Sequence, residues 1–161
     1  MAYVVQAVIA APAALEQCRA LDYAVVVELD QGLRLMPMTT ALFDEVRQGD
    51  TVDERFASCV RFPPGFEATL ATWSALGPVA YVEAEYFAGT GSQFSAVWHH
   101  GEIVLGPLLK AEDDPLPAQG SPISQALRYL GVSTLGHYDE FEAVGMIRHR
   151  HVRGWRADMS D

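Results

Sequence analysis

The sequence predicts an α+β fold: a single domain, residues 1–161, built on mostly antiparallel sheet with helices packed on one face. Three observations carry this expectation. Apolar, β-branched runs of strand length occur in groups instead of alternating regularly with helices, which favours antiparallel over parallel sheet. Short gaps containing glycine join several of these runs, as hairpins require. Between the groups lie segments with helix start and stop signals.

Residues 3–10 are β-branched and aromatic enough for a buried strand, and Pro12 then opens a short helix with Leu15 and Cys18 on one side. A second apolar run covers residues 23–29. Asp30-Gln31-Gly32 is a turn, and residues 33–38 form a third strand in which Leu33, Leu35 and Pro37 alternate with Arg34, Met36 and Met38. Thr39 or Thr40 caps a helix containing Leu42, Phe43 and Val46. Residues 48–61 are polar, acidic and without periodicity, the pattern of a surface excursion. After Pro63-Pro64-Gly65, the residues Phe66, Leu70, Trp73 and Leu76 recur at helical spacing until Gly77-Pro78 stops the helix.

Residues 79–87, 93–100 and 103–105 read as a three-stranded meander, and residues 110–120 as a loop rich in proline and acids. Ser121-Pro122 supplies an N-cap and a first-turn proline. Ile123, Ala126, Leu127 and Leu130 then line one helix face, and Gly131 ends it. A further helix is expected near residues 138–146, followed by a basic tail, 148–161.

A chain of 161 residues is long enough to bury a core without a cofactor or disulfide. It carries 21 acidic against 11 basic residues, a formal charge of -10. Such a surface repels nucleic acid and anionic membranes and attracts cationic partners. Only the tail reverses the sign, with four arginines against two aspartates. Cys18 and Cys59 have neither the spacing nor the histidine neighbours of a zinc site, and read as buried free thiols. The opening MAYVVQAVIAAPA lacks the basic start of a secretory signal, and no run reaches the roughly 20 apolar residues of a membrane span. The expected location is the cytoplasm.

Four features were weighed for chemistry. The stretch FAGTGSQFS, residues 87–95, has clustered glycines, but a strand follows them where a phosphate loop needs a helix, so a hairpin tip is expected. Glu83 and Glu85 lie two apart on a strand and share a face with Phe87; that face meets water, a metal, an acid/base role or a basic partner. His99 and His100, adjacent on a strand, are expected on opposite faces. His149 and His151 share a face on an extended segment and are candidate metal ligands, with His137, Asp139 and Glu142 upstream. Arg148, Arg150 and Arg153 beside the pair disfavour a cation, which leaves a solvated tail as the plainer reading. No nucleophile motif is present, so no catalytic residue and no cofactor are assigned.

The segments GPVAYVEAEYFAGTGSQFSAVWHHGEIVLGPL, SPISQALRYLGV and EFEAVGMIRHRH, spanning residues 77–151, resemble small acidic bacterial proteins of the polymorphic-toxin immunity type. The resemblance implies a class only: a protein that occupies a cognate toxin's active site. An acidic inhibitor suits a basic catalytic cleft. The contact is expected on Glu83, Glu85, Glu102, Glu112, Asp113 and Asp114, with Tyr86 as an anchor. Two other classes stand beside it: a small enzyme or metal-binding protein using Glu83, Glu85, His149 and His151, and a module that self-associates through an unpaired sheet edge.

Overall fold

The computed structural model describes residues 2–88 and 90–148. The strands are β1 (Ala2–Ala10), β2 (Val27–Glu28), β3 (Arg34–Pro37), β4 (Val79–Phe87), β5 (Thr90–His99) and β6 (Glu102–Lys110). They form one sheet in the order β2-β3-β1-β4-β5-β6, with every neighbouring pair antiparallel. The helices are α1 (Pro12–Leu15), α2 (Thr40–Val46), α3 (Phe66–Trp73), α4 (Pro122–Tyr129) and α5 (Glu140–Ala143). The α+β class and the antiparallel sheet are as expected.

The layering is richer than expected, because helices cover both faces of the sheet. β1 lies between β3 and β4 and is buried on both sides, which is why its sequence is apolar apart from Gln6. Its odd-numbered side, Val5, Ala7 and Ile9, packs with Val82, Ile123 and Leu127 under α4 and α5. Its even-numbered side, Val8 and Ala10, packs with Tyr81, Trp98, Leu42 and Phe66 under α1, α2 and α3.

Residues 48–61 run over the surface as expected, except at Phe56. They carry a short helical turn, Glu54–Phe56, that delivers Phe56 into the core with no exposed surface. Phe56 stacks on Phe62 at 4.1 Å, and Phe62 meets Tyr81 edge to face at 4.9 Å. A single buried aromatic in a polar stretch leaves no periodicity to read.

Other boundaries shift for local reasons. The second strand shrinks to Val27–Glu28, and the last expected helix to the single turn of α5. Leu76 is exposed because the chain tightens after Trp73 into a three-residue-per-turn helix, Ser74–Leu76, which rotates it off the core face. β6 runs nine residues through Gly106-Pro107 instead of stopping at 105. It is an edge strand, where the missing proline N–H costs nothing on the open side, and its pairing with β5 shifts register beside Ser95 and Val97.

Phe87 pairs with Thr90, so the glycine-rich stretch is a hairpin tip between β4 and β5. Gly91 sits within β5, opposite Tyr86, where a Cβ would collide with the Glu85 carbonyl oxygen.

Candidate functional site

The two faces of β4 send its side chains to different environments. Glu83 points into the aromatic side and is 6% exposed. Its Oε1 accepts the Val60 N–H at 2.6 Å; its Oε2 accepts the Arg61 N–H at 2.9 Å and the Tyr81 hydroxyl at 2.7 Å. Burial raises its pKa, and the two amides, the phenol and the Arg61 charge only partly oppose that rise. The Cys59 thiol is pushed up by its own burial and by the Glu83 charge, and Cys18, also free, is pushed up chiefly by burial.

Glu83 therefore clamps the segment 57–61 onto the sheet and offers nothing to a partner. It leaves the expected contact set because its lone pairs already hold donors of its own chain. Glu85 shares its face but lies beyond the core, exposed. The acids on β6 and after it divide as well: Glu102 opens the strand, while Glu112, Asp113 and Asp114 follow its far end. Eight strand steps, about 27 Å, separate Glu102 from Lys110, so one small patch cannot hold all four acids.

Tyr86 faces the other side of the sheet, where α4 is seated by two β5 side chains. The Ser95 hydroxyl donates to the Pro122 carbonyl at 2.7 Å, and Gln93 Oε1 accepts the Ile123 N–H at 2.9 Å. The Gln93 amide then donates to the Tyr86 hydroxyl at 3.0 Å. The Ser124 N–H goes to the Ser121 hydroxyl at 3.2 Å, and Pro122 has no N–H. With its first amides taken, the α4 N-terminus is not an anion cradle.

Beside this seat, between α4, the loop 111–121 and α5, lies a cleft of about 1140 Å³. Half-buried Tyr3, Tyr86 and Phe141 line it, and Tyr3 meets Phe141 edge to face at 5.1 Å. Burial raises the Tyr3 phenol, whose hydroxyl donates to the Met146 carbonyl at 2.8 Å. At the mouth stand Leu116, Tyr138 and Ile147, exposed by 61%, 87% and 54%. Large apolar groups are thus exposed around a concavity.

The charges within the cleft are Lys110, Arg128, Asp139 and Glu140. Arg128 Nε donates to Glu140 Oε1 at 3.1 Å. Glu140 is 7% exposed, and its second oxygen has no partner among the described residues. The Ser124 hydroxyl, also lining the cleft, is buried and unpartnered. Asp139 caps α5 by accepting the Glu142 N–H at 2.9 Å.

The histidines divide differently. His100 leaves the strand with a positive φ of 54°, which brings its ring onto His99 at 3.9 Å, so the two are not on opposite faces. Among the described residues no group of three or more His, Cys, Asp or Glu side chains is placed to hold a metal ion. His149 and His151 lie outside the described residues. No described helix is long and apolar enough to cross a membrane. Compared with protein-family models, curated proteins and solved structures, the chain matches none.

Proposed function

We propose that this protein is a binding protein of the immunity type, which neutralises a cognate bacterial toxin by covering its basic active site, and that the cleft beside α4 is its recognition surface. The observation behind the reading is the cleft's mouth: Leu116, Tyr138 and Ile147 present apolar surface to solvent next to the acids Glu112, Asp113, Asp114 and Glu142. Apolar anchors inside an acidic rim suit a basic protein surface, the rim setting association rate and the anchors setting residence. Of the contact residues expected from sequence, Tyr86 lies within this cleft and Glu112, Asp113 and Asp114 adjoin it; Glu102 falls outside.

The test is genetic and biochemical together. The adjacent gene product, expressed alone, is expected to arrest growth, and co-expression of this protein to restore it. A Leu116→Ser/Tyr138→Ser double variant is expected to fold normally and lose the protection. A harmless neighbour, or protection unchanged in the double variant, overturns the reading.

A further inference from the structure

Glu140 is more than nine-tenths buried, yet among the described residues only one of its oxygens is engaged, by Arg128. Its second oxygen keeps some contact with solvent and is open to a donor from outside. A second polar group beside it, the Ser124 hydroxyl, is 2% exposed and has no partner among the described residues. Both line the same cavity, and both accept hydrogen bonds.

The remaining walls fit the same guest. Tyr3, Tyr86 and Phe141 offer ring surface, which a guanidinium or ammonium and its aliphatic stem cover well. Burial and the Asp139 charge both raise the Tyr86 phenol, so Asp139 sits close enough to add negative potential there. Lys110 and Arg128 balance Asp139 and Glu140 within the cleft, so a cation is favoured there by the open Glu140 oxygen and not by net charge, while three acids, Glu112, Asp113 and Asp114, follow Lys110 in the chain. The first amides of α4, which an anionic guest would need, are already engaged.

Resting on the reading of the cleft as a recognition surface, we infer that it takes one basic side chain of a protein partner, an arginine, held between Glu140 and the rings of Tyr3, Tyr86 and Phe141. The guanidinium has the donors to satisfy the free Glu140 oxygen and the Ser124 hydroxyl together, and it stacks on aromatic faces where a lysine ammonium does not.

The test uses the full chain and three acetylated, amidated pentapeptides, Gly-Trp-Xaa-Trp-Gly, in which Xaa is arginine, its uncharged isostere citrulline, or glutamate. Titration followed by NMR or calorimetry is expected to show the arginine peptide binding about tenfold more tightly than the citrulline peptide, as a charge-assisted contact should. Glu140→Gln is expected to remove that preference, and Tyr138→Ser to weaken both peptides alike. Equal binding of arginine and citrulline, preference for glutamate, or no binding up to about millimolar concentration overturns the arginine site. Failure of the two readings is separable. If arginine is not preferred while the Leu116→Ser/Tyr138→Ser double variant still abolishes toxin protection, the anchor falls and the recognition surface stands; if the double variant leaves protection intact, the surface itself falls.

Discussion

Each face of the sheet buries a glutamate, and the two are treated in opposite ways. Glu83, on the aromatic side, receives three hydrogen bonds from its own chain and sits beneath a segment that plugs the core with Phe56. Glu140, on the α4 side, receives one hydrogen bond from the described residues and adjoins a cleft of about 1140 Å³. Side chains of comparable burial thus serve different ends: one face is closed by polar satisfaction and ring packing, the other left open. A carboxylate with all its donors in place holds its segment to the sheet, whereas one with an open oxygen can still accept a donor.

The contrast can be broken most forcefully at Phe56. Phe56→Ala is expected to cost about 3–5 kcal/mol, read by urea unfolding, since it empties the centre of a stacked aromatic cluster. Next comes Glu83→Ala, at about 3 kcal/mol, because it strands the Val60 and Arg61 amides and the Tyr81 hydroxyl. If Glu83→Ala is neutral, the closed face does not depend on its clamp.

The same glutamate gives a pH signature. Its folded pKa is raised, so the folded state holds that proton more tightly than the unfolded one. The resulting stabilisation is complete below the ordinary glutamate range and is lost as pH rises through the raised value. Wild type is therefore expected to lose stability relative to Glu83→Gln as acid solution is brought toward neutrality. A difference that stays flat, or runs the other way, in denaturation curves across that window contradicts the assignment.

On the open face the effects on folding are small. Glu140→Gln is expected to cost less than about 1 kcal/mol, because Arg128 is 51% exposed and can turn to water when its partner is neutralised. Tyr138→Ser is expected to stay within about 0.5 kcal/mol of wild type, its ring being 87% exposed. Unfolding curves check both. A large loss in either would mean that the cleft wall is structural, and the two faces would no longer differ in kind.

The sequence exposes periodic elements better than isolated contacts. α4 was legible because Ser121 and Pro122 open it, Ile123, Ala126 and Leu127 repeat along one face, and Gly131 closes it with a positive φ of 97°. The hairpin at residues 87–90 was legible because a strand follows its glycines. Phe56 and the true length of β6 were not, since one aromatic in a polar stretch has no period and Gly106-Pro107 reads as a stop unless the strand is known to lie at an edge. Strand alternation correctly put Glu83 and Glu85 on one face, but it could not say that a segment 23 residues earlier would cover only the first. The cleft was invisible for the same reason. Leu116, Tyr138 and Ile147 carry no common spacing, and only the tertiary path of the chain brings them to one mouth.

The hydrogen bond from the Tyr3 hydroxyl to the Met146 carbonyl joins positions 143 apart in sequence. Loop-closure entropy grows only slowly with such distance, about 0.6 kcal/mol per doubling, but a contact of this span forms late and opens early. The corner of the cleft containing Tyr3, Phe141 and Ile147 is accordingly expected to exchange its amide hydrogens faster than the centre of the sheet. A guest that bridges β1 to the 140–148 segment fastens that corner from outside, so occupancy is expected to be recorded as slowed hydrogen exchange at Met146 and its neighbours, one hydrogen bond away from Tyr3.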